Sequence, residues 1–302
     1  MNPKFPVLKN FKIFGIISVL LCAVGLVGLL ALPFGVNLFN LDIDFAGGTE
    51  MEFNMKQTVT QDIQNEVGAL FAETTGQSAS SVTSAGDNNQ QVLIRSKSID
   101  SETRSKVIEA MKSKYSLTDD DLYANEDVSA SVGNDLKAAA FICAIVAIIL
   151  MMIYITFRFE LTSGMAAVCC LVHDLLIMLS CYIIFQLPLN TNFIAAALTI
   201  LGYSINASII VFDRIRENLR AARKEPFEEI AERSVWQTMG RTINTTLTTL
   251  FTIGMIFILG VSSLKEFTLP LIIGILAGAY SSIFLSAALW NFFRKVLRKK
   301  HA

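Results

Sequence analysis

The chain has 302 residues, 53 % of them hydrophobic and 17 % charged, with a mean hydropathy of +0.51 and a formal net charge of −1. Such an apolar load excludes a soluble globular domain and places the chain among polytopic membrane proteins. The near-neutral total hides a segregation, because residues 33–135 hold 17 acidic and 7 basic residues while the basic excess lies elsewhere; such a pattern reports topology more than ligand preference.

Residues 1–11 read as a basic N-terminus, with Lys4, Lys9 and Lys12 leading into the apolar run 12–32. The run is about 20 residues long, enough to cross a bilayer and longer than the ~7–15 of a signal-peptide core. No Ala-x-Ala follows it, so it reads as a retained first span.

Residues 33–135 read as an inserted α+β domain. Asp44–Phe53 ends in Met51 and Phe53 alternating with Glu50 and Glu52, a strand pattern. Gly47 and Gly48 mark a bulge or a tight bend where the chain leaves the membrane. Gln61–Glu73 places Ile63, Val67, Leu70 and Phe71 at helical spacing. Val82–Ala85 and Gln91–Ile94 flank a Gly86-Asp87-Asn88-Asn89 turn, a hairpin. Ser101–Tyr115 reads as a second helix and Leu122–Val128 as a last strand. The order β-α-β-β-α-β is that of the ferredoxin-like fold.

Residues 136–290 hold five further spans, near 136–157, 161–185, 193–212, 242–261 and 267–290. The basic residues Arg158, Arg214, Arg216, Arg220, Arg233 and Arg241 and the tail 291–302 (Arg294, Lys295, Arg298, Lys299, Lys300) fall on one side of them. The positive-inside rule therefore predicts cytoplasmic termini, a cytoplasmic 213–241 connection and an extracytoplasmic insertion. Within that connection two helical pieces meet at Pro226. Phe227, Ile230 and Val235 make the second amphipathic, so it lies either on the membrane surface or against the bundle.

Polar groups in hydrocarbon are costly and mark pathways or helix contacts. In the fourth span Gly202, Asn206, Ile209 and Asp213 share a stripe; it reads as part of an ion or proton path, or as a helix–helix hydrogen bond with an interfacial cap. In the fifth, Arg241, Asn244, Thr245, Thr248 and Thr252 share one face, expected to look into the bundle interior. His173 and Asp174 are the deepest titratable pair, a functional site or a structural hydrogen-bond pair. Gly274-x-x-x-Gly278 is a packing signal. All five cysteines lie in apolar runs and read as core-filling thiols. Walker, GxSxG, HExxH and CxxC patterns do not occur in the sequence, so an ATPase, a hydrolase, a metal site, a cofactor and nucleic-acid binding are not expected, and the chain does not read as an enzyme.

Taken together, LDIDFAGGTEMEF (41–53), FRFE (157–160), HD (173–174), GYSIN (202–206), DRIREN (213–218) and QTMGRTINT (237–245) resemble, in order and spacing, the SecF branch of the SecD/SecF family in the RND superfamily. The resemblance covers nearly the whole chain. It implies a half bundle of six spans with one outer domain, and a bacterial cytoplasmic-membrane location. It implies a partner, SecD, association with the SecYEG channel, and preproteins in transit as clients within membrane lipid. It also implies an auxiliary role in the late steps of protein export, driven by the proton or another ion gradient. Arg241 matches the family's membrane arginine of the proton path, with His173, Asp174, Asn206, Asp213 and Thr245 as further coupling candidates. Asp44, Gly47, Gly48 and Thr49 match its outer-strand motif. Many relatives carry Asp after GYS(I/L)N, whereas here Ala207 stands there, which cannot titrate. Two other readings stay open: half of an RND-type exporter of small molecules or lipids, and a non-energised subunit that binds clients passively.

Overall fold

A backbone in hydrocarbon can satisfy its polar groups only within itself, so the long apolar runs become helices. The computed structural model describes residues 6–86, 88–222, 225–260 and 262–299. Helix α1 (Phe11–Ala31) buries Ser18, Cys22, Gly25 and Gly28 and leaves most of its leucine and isoleucine side chains outside. A 3₁₀ turn, Leu32–Phe34, ends at Gly35 in the left-handed conformation. The connector then pairs with the bundle, Asp42 donating its N–H to the Leu189 carbonyl (3.0 Å) and Leu189 donating to Asn40 (2.8 Å). Asp42 also caps a single turn, α2 (Ile43–Ala46), by accepting from the Ile43 N–H. The strand therefore starts at Gly48 and not near Asp44, because Asp44 belongs to that capped turn. Gly48 (φ +153°) makes the bend, and a side chain there would run into the Ser96 carbonyl.

The α+β domain runs β1 (Gly48–Asn54), α3 (Gln61–Thr75), β2 (Ser81–Ala85), β3 (Gln91–Ser96), α4 (Ser101–Tyr115) and β4 (Leu122–Val128). Its strands form one antiparallel sheet in the order β2-β3-β1-β4, with Met51 opposite Ile94 and Phe53 opposite Val92. Those four side chains are fully buried and pack with Val67, Phe71, Val107 and Met111 from the two helices, so a single sheet face carries the core.

Among the described residues six helices are long and apolar enough to cross a membrane: α1, α5 (Ala130–Arg158), α6 (Leu161–Ile184), α7 (Thr191–Ala221), α8 (Phe227–Leu259), and α9 (Ser262–Tyr280) continued by a π turn, Ser281–Leu285, into α10 (Ser286–Lys299). The α9–α10 helix and α6 are the most enclosed, α5 and α8 the least. Gly274 and Gly278 of α9 meet Ile200 and Ser204 of α7, so the small-residue seam is spent inside this chain. At the end bearing the chain termini, Trp290 packs against Phe212 and Phe227 and donates its indole N–H to Thr162 (3.0 Å). Ile230, Ala231 and Val235 at the start of α8 are buried, and Glu232 accepts the Val7 and Leu8 N–H groups (both 2.7 Å). The amphipathic piece after Pro226 thus packs against the bundle, the second of the two placements its pattern allowed.

Candidate functional site

Two polar regions occur within the bundle, on opposite sides of α7. The inner one is built on α6. His173 Nδ1 lies 2.9 Å from Asp174 Oδ1, and Asp174 is only 1 % exposed. Its other oxygen, Oδ2, accepts from Ser204 of α7 and from Ser281 of the π turn (3.0 Å). The π turn breaks the regular ladder where a hydroxyl must reach across to Asp174. Tyr280 stacks on the His173 ring at 5.8 Å and donates its hydroxyl to the Phe14 carbonyl (2.9 Å). His173 Nε2 is buried and has no hydrogen-bond partner among the described residues. This centre therefore joins four spans around one carboxyl group and leaves one imidazole nitrogen without a hydrogen-bond partner among the described residues.

The outer region lies along α7 and α8. Residues 204 and 206 of a helix point about 200° apart, so Ser204 faces inward while Asn206 is exposed. Gly202, Arg241, Asn244, Thr245, Thr248 and Thr252 are exposed as well. The expectation that the α8 face looks into this bundle is corrected: it looks out of it. Its hydroxyls are satisfied within the helix, Thr245 donating to Arg241 (2.9 Å), Thr248 to Thr245 (2.9 Å) and Thr252 to Thr248 (3.1 Å), and so need no neighbour. The guanidinium of Arg241 forms no ion pair among the described residues. Tyr203 reaches Thr249 (3.3 Å) and Arg214 reaches Gln237 (2.7 Å), a register that levels Asn206 with Asn244 and Thr245 and sets Arg241 one turn nearer Asp213. Ala207 is half-buried at that level.

Residues 107–296 match the sequence profile of the protein export membrane proteins SecD/SecF, C-terminal region. The chain belongs to the SecD/SecF family. A protein translocase subunit SecF from Acidaminococcus fermentans is 37 % identical over 98 % of this chain and 99 % of its own length. The SecDF subunit of Bacillus subtilis is 34 % identical over 92 % of this chain and 37 % of its own. The crystal structure of SecDF from Thermus superposes on the whole chain with a TM-score of 0.82 at 32 % identity, covering 39 % of that molecule. This family member thus has about two-fifths of the length of the SecDF proteins it matches.

The residues singled out in the sequence divide into four places. His173 and Asp174 form the inner centre. Asn206, Ala207, Arg241 and Thr245 belong to the outer face. Asp213 lies beyond both, in an exposed cleft with Arg158 and Arg216. Asp44, Gly47, Gly48 and Thr49 are far along the chain's other end: Asp44 accepts from the Thr191 N–H (2.9 Å) and hydroxyl (2.7 Å), and Thr49 bridges Asp127 (3.1 Å) and the Ile99 N–H (3.2 Å). Their visible work is to clasp the α+β domain to α7 and to its own sheet.

Two features were not read from the sequence. Ser281 is one of several hydroxyls in the last span, and the cost of polar groups in hydrocarbon was the signal that could have singled it out. The other is Arg95 of β3, whose Nε lies 2.6 Å from Glu50 and 3.2 Å from Asp42, and whose terminal nitrogen lies 3.7 Å from Glu266 at the start of α9. Glu266 also accepts from Asn190, the cap of α7 (2.8 Å). One guanidinium thus ties the sheet to two spans. Burial pushes the Glu50 carboxyl above its usual range, with Arg95 offsetting only part of that rise.

Proposed function

We propose that this chain is a SecF-type auxiliary subunit of the Sec translocase that works with a SecD-type partner in protein export across the bacterial cytoplasmic membrane. The observation that carries the reading is the outward polar face of α7 and α8. An arginine and two asparagines turned out of a half bundle require a protein neighbour and not lipid. The natural neighbour is the second half that the fused SecDF relatives carry on the same chain. Arg241 stays charged at any physiological pH, so that half supplies an anionic or carbonyl partner.

In this reading the termini are cytoplasmic and residues 33–135 form an extracytoplasmic ferredoxin-like domain, a fold to which the sheet order β2-β3-β1-β4 conforms. Residues 12–32 and 136–290 supply the spans, 213–241 the cytoplasmic connection and 291–302 the basic tail. The domain handles preproteins leaving the SecYEG channel, and ion flow at the α7–α8 face moves it. Each elementary charge crossing 100 mV is worth ~2.3 kcal/mol. Because Ala207 cannot titrate, the moving proton is held by the partner or by His173–Asp174. The same Ala207 supports a second reading, a subunit that binds clients without energy coupling.

Arg241→Ala tests the first reading. The variant assembles with the SecD-type partner, recovered by gentle affinity purification and mass spectrometry, but loses export and proton flux in vesicles. Arg241→Lys retains part of both. Recovery of the wild-type chain without such a partner removes the export reading, and export without proton flux selects the passive one.

A further inference from the structure

The described residues include a cleft of about 650 Å³ where α5 ends and α7 leaves the bundle, lined by Arg158, Asp213, Arg216, Glu217 and Arg220. The guanidinium groups of Arg158 and Arg216 lie 5.3 and 5.9 Å from the centre of one ring, that of Phe159, which is itself braced edge-on against Phe212. Arg216 also donates to the Arg158 carbonyl (3.1 Å). Two like charges are thus held beside one aromatic ring. Arg158, Arg216 and Arg220 form no ion pair among the described residues, while Glu217 is occupied by Arg214 at 2.6 Å. Asp213 is the remaining carboxylate in the cleft, so the arginines outnumber the acids there.

Arranging guanidinium groups this way costs repulsion that an incoming anion relieves, and planar guanidinium donors match phosphate oxygens best. The surroundings indicate which phosphate. Phe157, next to Arg158, is 88 % exposed, and Tyr154 one turn earlier is exposed as well, so an apolar wall runs from the cleft along the span. Lipid tails fit that wall and a free ion does not use it. We propose that this cleft binds the phosphate headgroup of an anionic phospholipid, its acyl chains lying over Phe157 and Tyr154. The lipid would fix the α5–α6 corner to the membrane end of α7. The assignment stands independently of the export reading.

The full chain, purified in detergent, is exchanged into mixed micelles containing phosphatidylglycerol or phosphatidylcholine, and bound lipid is read by native mass spectrometry. The wild type retains phosphatidylglycerol in preference to phosphatidylcholine. Arg220→Gln and Arg158→Gln each lower that retention about fivefold, the equivalent of ~1 kcal/mol per basic side chain at an anionic surface. Arg220 is exposed and unpaired among the described residues, so its substitution leaves the packing intact. Arg233→Gln, which removes an ion pair to Glu225 outside the cleft, retains the lipid as the wild type does. Unchanged retention in Arg158→Gln and Arg220→Gln overturns the site, as does equal retention of the two lipids by the wild type. If inorganic phosphate displaces phosphatidylglycerol and raises the thermal midpoint equally well, the site is one for free phosphate and the lipid assignment fails.

Discussion

The Asp174 carboxyl group shows how one residue organises several helices. It touches His173 on its own helix, Ser204 on α7 and Ser281 on the π turn. Removing it orphans His173 Nδ1 and the Ser204 hydroxyl, while the Ser281 hydroxyl keeps the Gly278 carbonyl (3.2 Å), and each orphaned group costs ~1–3 kcal/mol. Asp174→Ala is therefore expected to lower the detergent thermal midpoint strongly. Asp174→Asn keeps the shape and an acceptor oxygen and is milder; equal effects of the two variants would mean that the hydrogen bonds contribute little. A second residue-scale prediction concerns the α+β domain. Lys56 lies 2.6 Å from Asp121, and that bond, with the Thr118 N–H and hydroxyl, holds the Asp121 carboxyl down at about 2 against an ordinary 3.8. A depressed carboxyl contributes stability that is fully present above the unfolded value and is lost as pH falls toward the folded one. The opening free energy of α4 and β4 in the full chain, from hydrogen exchange corrected for the intrinsic pH dependence of amide exchange, is thus expected to be flat from neutral pH down to about 4 and to fall toward 2. Asp121→Asn should remove that acid step, and an unchanged step in the variant would assign it to other groups.

At the scale of elements, α9 owes its place to glycines. A side-chain carbon added at Gly274 would lie 2.5 Å from Ile200 Cγ1, too close for any atom pair to tolerate without movement. Gly274→Ala is expected to cost ~1–3 kcal/mol through overpacking. Ile200→Ala in the same chain opens the space, so the double variant should recover part of the loss. Strict additivity in thermal unfolding would show that the two helices do not press on each other there. The sequence marked Gly274 and Gly278 as a packing pair, but not their mate. Small residues on α7 and α9 suit the interior of this chain and a contact with another subunit equally well, and only the packed bundle distinguishes the two. The six spans and the elements of the α+β domain were legible for a simpler reason: each follows from a local period of apolar residues. The strand start moved to Gly48 because Asp42 caps a turn, a hydrogen bond that hydropathy does not register.

At the scale of the molecule, the ion cluster at Arg95 joins the sheet to the bundle. Arg95→Gln leaves Asp42, Glu50 and Glu266 facing one another without a cation. Breaking a largely buried pair by removing one partner costs ~3 kcal/mol or more. The expected outcome is faster hydrogen exchange in residues 40–48 and 186–191, with the cores of α3 and α4 unchanged. A uniform rise across the domain would mean that the cluster supports the domain itself and not its attachment. In the proposed export role, movement of the outer domain passes through this joint, the Asp44–Thr191 clasp beside it, or the direct run of β4 into α5.

By itself the sequence determined that this chain lives in a membrane, that six helices span it, that one α+β unit interrupts them, and to which family it belongs. Those properties rest on length, hydropathy period and contiguous motifs, which a linear chain displays directly. Tertiary structure alone decided which of Ser204 and Asn206 faces the bundle, that Asp174 gathers hydroxyls from α7 and the π turn, and that the polar face of α8 turns outward. Each of those depends on which neighbour covers a given helix face, and covering is a relation between segments far apart in sequence that no local pattern encodes.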